Sequence, residues 1–563
     1  MVDPAELRAR AHAWLDDDPD PATRAEVIAL LALDEDGPLA ERFGDRLTFG
    51  TAGIRGALGA GPSRMNRALV RRVAAGLATH LLATDPAAAR NGGVVIGRDA
   101  RHQSDEFAED VAMVMAGAGI PALALPGPCP TPLLAFAVRH LGCATGVMVT
   151  ASHNPPADNG LKVYGADGAQ IVAPTDAAIS DAIDAVGPTL EIPLAAAGDP
   201  LVRPLGDEVF EAYLDAAASL VPPGPRHLRL VHTAMHGVAT DYLLRLFDRV
   251  GLEPPVLVVD QAAPDPDFAT VPFPNPEEPG ALDLALSEAR RVGADAVIAH
   301  DPDADRLAVA VRETTGWRAL TGDELGSLLA DHLLSTGDGA DRLVVRSIVS
   351  STLLDRIAAF HGATSATTLT GFKWIVRAVL DHPGTRFTFG YEEALGYAVT
   401  DQVLDKDGLT AALVFADLLG SLLETGASIP DRLEALARRH GLHATRTWSV
   451  RVTGPGATVR IAEAVARVVD DPPAELAGMP VVGVDRPDED VVVLRLEGGA
   501  RVVVRPSGTE PKVKCYLQVV IAEIADGAEG WLAARSASEA SLDALQESIA
   551  EATGLDRPRP GTA

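Results

Sequence analysis

The chain has 563 residues, 47% of them apolar, with 48 Lys+Arg against 78 Asp+Glu and a formal net charge of −30. At roughly 150 residues per domain the length suggests about four domains, and an apolar share inside the globular range of ~45–50% excludes a disordered chain. The acidity argues against polyanion binding through global attraction, and three cysteines (Cys129, Cys143, Cys515) without a C-x-x-C pair exclude a disulfide framework and give no sign of zinc.

The opening MVDPAELRARAHAW has no basic stretch followed by an apolar run, so no secretory signal is expected. No stretch reaches the ~18 consecutive apolar residues of a membrane span. The expectation is a cytoplasmic protein with no membrane or nucleic-acid partner. Only five basic residues are lysine: Lys162, Lys373, Lys406, Lys512 and Lys514. A chain that uses arginine almost everywhere keeps lysine where a compact or titratable ammonium is wanted.

Residues 1–45 read as helical, with a break around Asp16–Pro21. From Leu47 short apolar runs alternate with amphipathic stretches, which predicts α/β units with parallel sheets. Val94–Gly97 is read as a strand entering the polar turn Arg98–Gln103, and Gly146–Ala151 as a strand entering Ser152–Pro156. A Pro-rich seam at Pro222–Pro225 precedes a strand at Leu228–His232, and Pro264–Pro279 is a long loop. Asp295–His300 and Leu307–Val311 are strands flanking an acidic turn. Beyond Gly441 the pattern changes to strand Thr447–Val452, helix Ala457–Val469 and strands Val491–Leu496 and Arg501–Val504, a smaller α+β domain.

Four polar loops could carry chemistry. In Thr150-Ala151-Ser152-His153-Asn154-Pro155-Pro156, with Lys162 soon after, a serine in a turn stiffened by two prolines is a candidate nucleophile with acid–base help. A helix N-cap or an Asn-Pro turn is the structural alternative, and the absence of G-x-S-x-G leaves a hydrolase triad unsupported. In Asp301-Pro302-Asp303-Ala304-Asp305-Arg306, three carboxylates at alternate positions can converge on one hard cation, Mg²⁺. An EF-hand is excluded, because Arg306 and Arg312 stand where its glycine and glutamate belong. Glu392 and Glu393 in Gly390–Tyr397 could accept hydrogen bonds from sugar hydroxyls, and Asp405-Lys406-Asp407-Gly408 follows as a turn. Arg505-Pro506-Ser507-Gly508-Thr509-Glu510-Pro511-Lys512 reads as a phosphate cradle, with a structural turn as the alternative. Phe49–Gly56, with three glycines and Arg55, is a weaker candidate for backbone approach to an anionic ligand. Together these loops fit phosphoryl transfer on a phosphorylated sugar.

In this order TASHNPPADNGLK, DPDADR, GYEEALG and RPSGTEPK resemble the α-D-phosphohexomutase family, from about Phe49 to about Tyr516. FGTAGIRG, HTAMHG, FPNPEE, TGFKW and VLDKDG are closer to its phosphoglucomutase-2 and phosphopentomutase-like subgroup. The resemblance implies an α/β fold of four domains around a central cleft, three of them similar and the last a TBP-like α+β domain. Their expected spans are 1–203 with a phosphoserine loop, 204–316 with a metal loop, 317–440 with a sugar loop and 441–563 with a phosphate loop.

It further implies an isomerase that interconverts hexose 1-phosphate and hexose 6-phosphate through a phosphoserine and a sugar 1,6-bisphosphate. Ser152 would carry the phosphate, and Asp301, Asp303 and Asp305 would hold Mg²⁺ together with a phosphoserine oxygen. Arg55, His153 and Lys162 would be the acid–base and phosphate contacts. Arg306, Thr370, Lys373, Glu392, Glu393 and Lys406 would bind substrate, and Arg505, Ser507, Gly508 and Thr509 would grip the phosphate that stays in place. The expected partner is a small phosphosugar, and the protein a monomer or homodimer. One departure stands out: Ala394 replaces a serine common in the family, which keeps pentose phosphates open as substrates. A phosphatase using the same serine and a non-catalytic phosphosugar-binding protein are the other readings.

Overall fold

The computed structural model describes residues 3–33, 35–50, 53–224, 226–337, 339–452, 454, 456–506 and 512–555. Two compact units emerge, Met1–Leu320 with Ala394–Ser421, and Thr321–Glu393 with Leu422–Ala563.

The first unit opens with helices Pro4–Asp17, Pro21–Leu31 and Gly37–Phe43, packed around Leu7, Ala11, Val27, Leu39 and Phe43. Proline opens the first two as an N-terminal residue, where its missing N–H costs nothing, and Asp3 and Asp20 cap them. A six-stranded sheet follows in the order Gly53–Ala57, Asp158–Gly165, Thr145–Val149, Val94–Arg98, Ala122–Ala124, Val202–Pro204. Its last four strands are parallel and its first three antiparallel. The parallel sheet expected from the sequence is therefore mixed. Val94–Ile96 is buried throughout, as the continuous apolar run of a central strand requires. Helices Arg67–Thr84 and Ser104–Gly117 contribute to its main core, around Phe107, Met115 and Leu77.

A second sheet in this unit has the order Gly316–Ala319, Ala308–Glu313, Ala296–Ala299, Leu230–Thr233, Val256–Leu257. Its last three strands are parallel and its first three antiparallel. The expected boundary at 316/317 falls inside its edge strand, because Gly316–Ala319 is the return arm of a hairpin. Val202–Pro204 likewise carries the first sheet one residue past 203. Both sheets place a polar loop in the same position. Residues 150–157 and 300–307 each leave the end of a buried strand and return as its antiparallel neighbour.

In the second unit, Thr364–Thr368, Arg342–Ser347 and Arg386–Glu392 form a parallel sheet in that order. Helix Gly322–Thr336 starts in a capping box between Thr321 and Glu324. An antiparallel sheet follows, ordered Leu442–Arg451, Lys512–Ile521, Arg501–Pro506, Val491–Leu496, Met479–Asp488, Glu475–Leu476. Helices Ala457–Asp470 and Gly527–Thr553 pack against it. The two sheets meet at Val349, Val493, Val503 and Tyr516. Arg501 there donates to the carbonyls of Ile348 (2.8 Å) and Ser350. Gln518 exchanges hydrogen bonds with the Thr352 N–H (2.9 Å) and hydroxyl (2.7 Å). Among the described residues no single helix is long and apolar enough to cross a membrane.

Asp407 opens the buried helix Gly408–Glu424. Its carboxylate accepts from the N–H groups of Leu409 (3.0 Å) and Thr410 (3.1 Å) and from the Tyr213 hydroxyl (2.9 Å). Burial pushes its pKa up to about 6 even so. A raised carboxyl pKa favours the protonated folded form, so this group stabilises most below its unfolded pKa and the benefit is lost as pH rises through 6. We expect wild type to gain about 1 kcal/mol over Asp407→Asn between pH 7.5 and pH 5. Urea denaturation of both proteins at the two pH values measures it.

Candidate active site

Ser152 lies at the turn between two antiparallel strands, 4% exposed and in the left-handed region at φ 53°. A non-glycine residue holds that conformation only where its surroundings impose it. Here the Ser152 N–H donates to Thr150 Oγ1 at 2.8 Å, and Thr150 donates onward to the buried Asp99 at 2.6 Å. The Ser152 hydroxyl donates to Asp301 Oδ2 at 3.0 Å and lies 3.2 Å from His153 Nδ1. Sequence positions 149 residues apart thus share one site.

Asp301, Asp303 and Asp305 are each no more than 1% exposed, and their ligand atoms lie within 4.8 Å of one another. Ala304, at φ 57°, makes the tight bend that gathers them. Lys162 Nζ sits 2.8 Å from both Asp303 and Asp305, and Lys406 Nζ 3.3 Å from Asp305. Thr131 holds Asp303 twice, through its hydroxyl (2.7 Å) and its N–H (2.9 Å). Burial and the neighbouring Asp305 and Asp303 push the Asp301 carboxyl well above the usual range. Asp305, which burial alone would raise, is held far below it by Lys162, Lys406 and Arg306. The two aspartates drive Lys162 upward against its own burial, so its ammonium stays charged. His153 is held well below its ordinary value by burial and by Arg306 and Arg55, leaving a neutral imidazole.

These groups fit a divalent cation. Asp303 Oδ1 and Asp305 Oδ1 are buried oxygens with no hydrogen-bond donor among the described residues, and buried carboxylate oxygens require a partner. Three oxygen donors on one short turn suit a hard divalent cation.

Arg55 and Arg306 join the same cluster. Arg55 lies on strand Gly53–Ala57 opposite Gly160 and donates to Asn154 Oδ1 at 3.3 Å. Arg306 pairs with Glu277 at 3.3 Å, and its N–H donates to Asp301 at 3.0 Å. Lys162, which follows the serine turn in sequence, is on a strand. Lys406, expected among the sugar or phosphate contacts, stands beside Asp305 of the aspartate turn, with Asp405 3.5 Å away.

The second unit gathers another set. Glu392, at a strand end, accepts from the Gly371 N–H at 2.7 Å, and Thr370 accepts from Arg505. The hydroxyls of Ser347 and Ser350 each donate to Glu393 at 3.3 Å, so hydroxyls stand at this loop although residue 394 is alanine. Lys373 is buried, with its ammonium 5.5 Å from the centre of the Trp374 ring. Ser507, Gly508 and Thr509 lie outside the described residues. Lys512 belongs to a strand, so the basic end of the expected cradle is β structure.

Sequence reasoning missed Asp99, Arg101, Thr131 and Glu277. Asp99 and Arg101 fall in the turn read at Arg98–Gln103, and Glu277 in the long loop, where position was legible and role was not.

A serine facing three buried carboxylates, with a lysine, an arginine and a neutral histidine around it, is equipment for moving a phosphoryl group. The comparisons agree. The chain matches the profiles "Phosphoglucomutase/phosphomannomutase, alpha/beta/alpha domain I" over residues 46–188, domain II over 211–316, domain III over 321–440 and the C-terminal domain over 450–527. It is 43% identical over 466 residues to a "Probable phosphomannomutase" of Haemophilus influenzae, covering 80% of this chain and 92% of that one. It is 33% identical over 574 residues to a "Phosphopentomutase" of Mus musculus, covering 92% and 90%. A solved phosphoglucomutase/phosphomannomutase family protein from Burkholderia thailandensis shares the fold, with a TM-score of 0.68 at 20% identity over 92% of this chain and 98% of that one. The protein is an isomerase of the phosphosugar mutase class. It belongs to the phosphoglucomutase/phosphomannomutase family, with all four of that family's domains.

If the aspartate turn holds Mg²⁺, adding the ion to chelator-treated protein raises the melting temperature by a few degrees. Asp303→Asn should abolish that shift. Equal shifts in both proteins would place the ion elsewhere.

Proposed function

We propose that the protein interconverts hexose 1-phosphate and hexose 6-phosphate, of glucose or mannose, with Ser152 as phosphoryl carrier and a sugar 1,6-bisphosphate as intermediate and activator. The observation that carries this reading is the Ser152 hydroxyl 3.0 Å from Asp301 at the edge of the aspartate turn.

Asp301, Asp303, Asp305 and an oxygen of phosphorylated Ser152 would hold Mg²⁺, which when bound neutralises negative charge on the phosphoryl oxygens. Positioning by the chain does the rest. Lys162 keeps its ammonium between Asp303 and Asp305, a fixed positive charge next to the carrier serine. Neutral His153, 3.2 Å from Ser152 Oγ, accepts the serine proton when that oxygen takes a phosphoryl group from the bisphosphate, as the sugar O–P bond breaks and the released sugar oxygen takes up a proton to become a hydroxyl. Arg55 and Arg306 orient the phosphoryl oxygens. Glu392 and Glu393 accept sugar hydroxyls. Two carboxylates suit a sugar that presents either end, because each offers acceptors on both oxygens. Thr370, Lys373 and Arg505, with Ser507, Gly508 and Thr509, hold the phosphate that is not transferred, and Lys406 contacts substrate from beside Asp305.

The higher identity to the Haemophilus influenzae relative supports a hexose. The Mus musculus relative, matched over 92% of this chain, together with Ala394, supports a second reading in which ribose or deoxyribose 1-phosphate is the substrate.

With Mg²⁺, a trace of glucose 1,6-bisphosphate and each sugar 1-phosphate in turn, ³¹P spectra should show glucose or mannose 1-phosphate becoming the 6-phosphate. Ser152→Ala should lower the rate by ~10³-fold or more. Faster conversion of ribose 1-phosphate would move the assignment to pentoses, and phosphate release without isomerisation would make the protein a phosphatase. No conversion of any sugar would overturn the proposal.

A further inference from the structure

Arg101 lies in the turn after strand Val94–Arg98, 3% exposed, and touches neither the aspartate triad nor the lysines by hydrogen bond. A guanidinium has five N–H groups, four of them terminal. All four terminal ones are matched to backbone carbonyls of the carrier-serine loop. Nη2 donates to Ser152 O and Asn154 O, both at 2.6 Å, and Nη1 to Pro155 O at 2.8 Å and Asp158 O at 3.1 Å. Nε faces Asp99 Oδ2 at 3.3 Å. Asp99 in turn accepts from Ser104 Oγ (2.7 Å), the Arg101 N–H (3.0 Å) and Thr150 Oγ1 (2.6 Å). The guanidinium carbon lies over the buried Phe268 ring, 4.9 Å from its centre, in the 264–279 loop.

We propose that Arg101 is a positioning residue for phosphoryl transfer. It templates the 152–158 loop by collecting four carbonyls, and so holds Ser152 in its left-handed conformation with Oγ aimed at Asp301. An arginine beside a phosphoryl carrier invites the role of phosphate ligand, but this one has its terminal donors committed to the backbone. Lysine keeps the charge, yet one ammonium cannot reproduce a planar fork reaching four acceptors. The proposal rests on Ser152 as the carrier.

Three measurements test it on the full chain with Mg²⁺ and glucose 1,6-bisphosphate present. Mass spectrometry of wild type should find one phosphoryl group on Ser152; its absence would refute the carrier assignment itself and is read without any variant. In Arg101→Lys, kcat should fall about 100-fold, the usual result of a misplaced reacting group, with KM within twofold of wild type. Phe268→Leu leaves the four hydrogen bonds in place but loosens their cover. It should lower kcat several-fold at constant KM, and it serves as the readout if Arg101→Lys does not fold. A raised KM at unchanged kcat would make Arg101 a phosphate ligand and overturn the proposal. A kcat within twofold of wild type in Arg101→Lys would overturn it as well.

Discussion

Three carboxylates buried within a few ångströms of one another repel strongly, and much of the first unit is arranged to answer that repulsion. The compensating charges come from three stretches of sequence. Lys162 arrives on a strand of the first sheet, Lys406 on the segment that re-enters the first unit at Ala394, and Arg306 from the end of the aspartate turn itself. The re-entrant segment is fastened to its surroundings at each side of Lys406. Asp405 accepts from Tyr164 at 2.6 Å and Asp407 from Tyr213 at 2.9 Å. A site that needs so many cations cannot be local, which is why its residues span the chain from Arg55 to Lys406.

The two loops that meet there are built alike. Each leaves a buried parallel strand, turns through a non-glycine residue at positive φ, and returns as an antiparallel neighbour. The hairpin anchors both ends of the loop in hydrogen-bonded structure, so a short polar turn can be held to a fraction of an ångström against another. Thr131, at the start of helix Thr131–Leu141, ties that helix to the aspartate turn through two hydrogen bonds to Asp303.

Much of this was legible in the sequence because the chemistry sits in dense local motifs. Ser152 and His153 are adjacent and the three alternating aspartates fall within five residues, and the rarity of lysine singles out Lys162 and Lys406. Helices at the start and strands around the acidic turn follow from apolar periodicity. The supporting residues were not legible. Asp99, Arg101 and Thr131 act on partners that are 51, 51 and 172 residues away, and those of Arg101 are backbone carbonyls, which leave no mark on side-chain identity. Strand Asp158–Gly165 was hidden by its Asn-Gly start, which reads as a turn until its pairing on both edges is seen. The mixed character of the first sheet was hidden with it.

The backbone at Ser152 also restricts which hydroxyl side chain can stand there. At φ 53° a side chain branched at Cβ crowds the flanking peptide groups, whereas serine has a single Oγ to place. Threonine offers the same hydroxyl and would make an equally good phosphate ester in solution, but its added methyl group is excluded by the turn. The choice between two nearly equivalent alcohols is thus settled by a torsion angle rather than by reactivity.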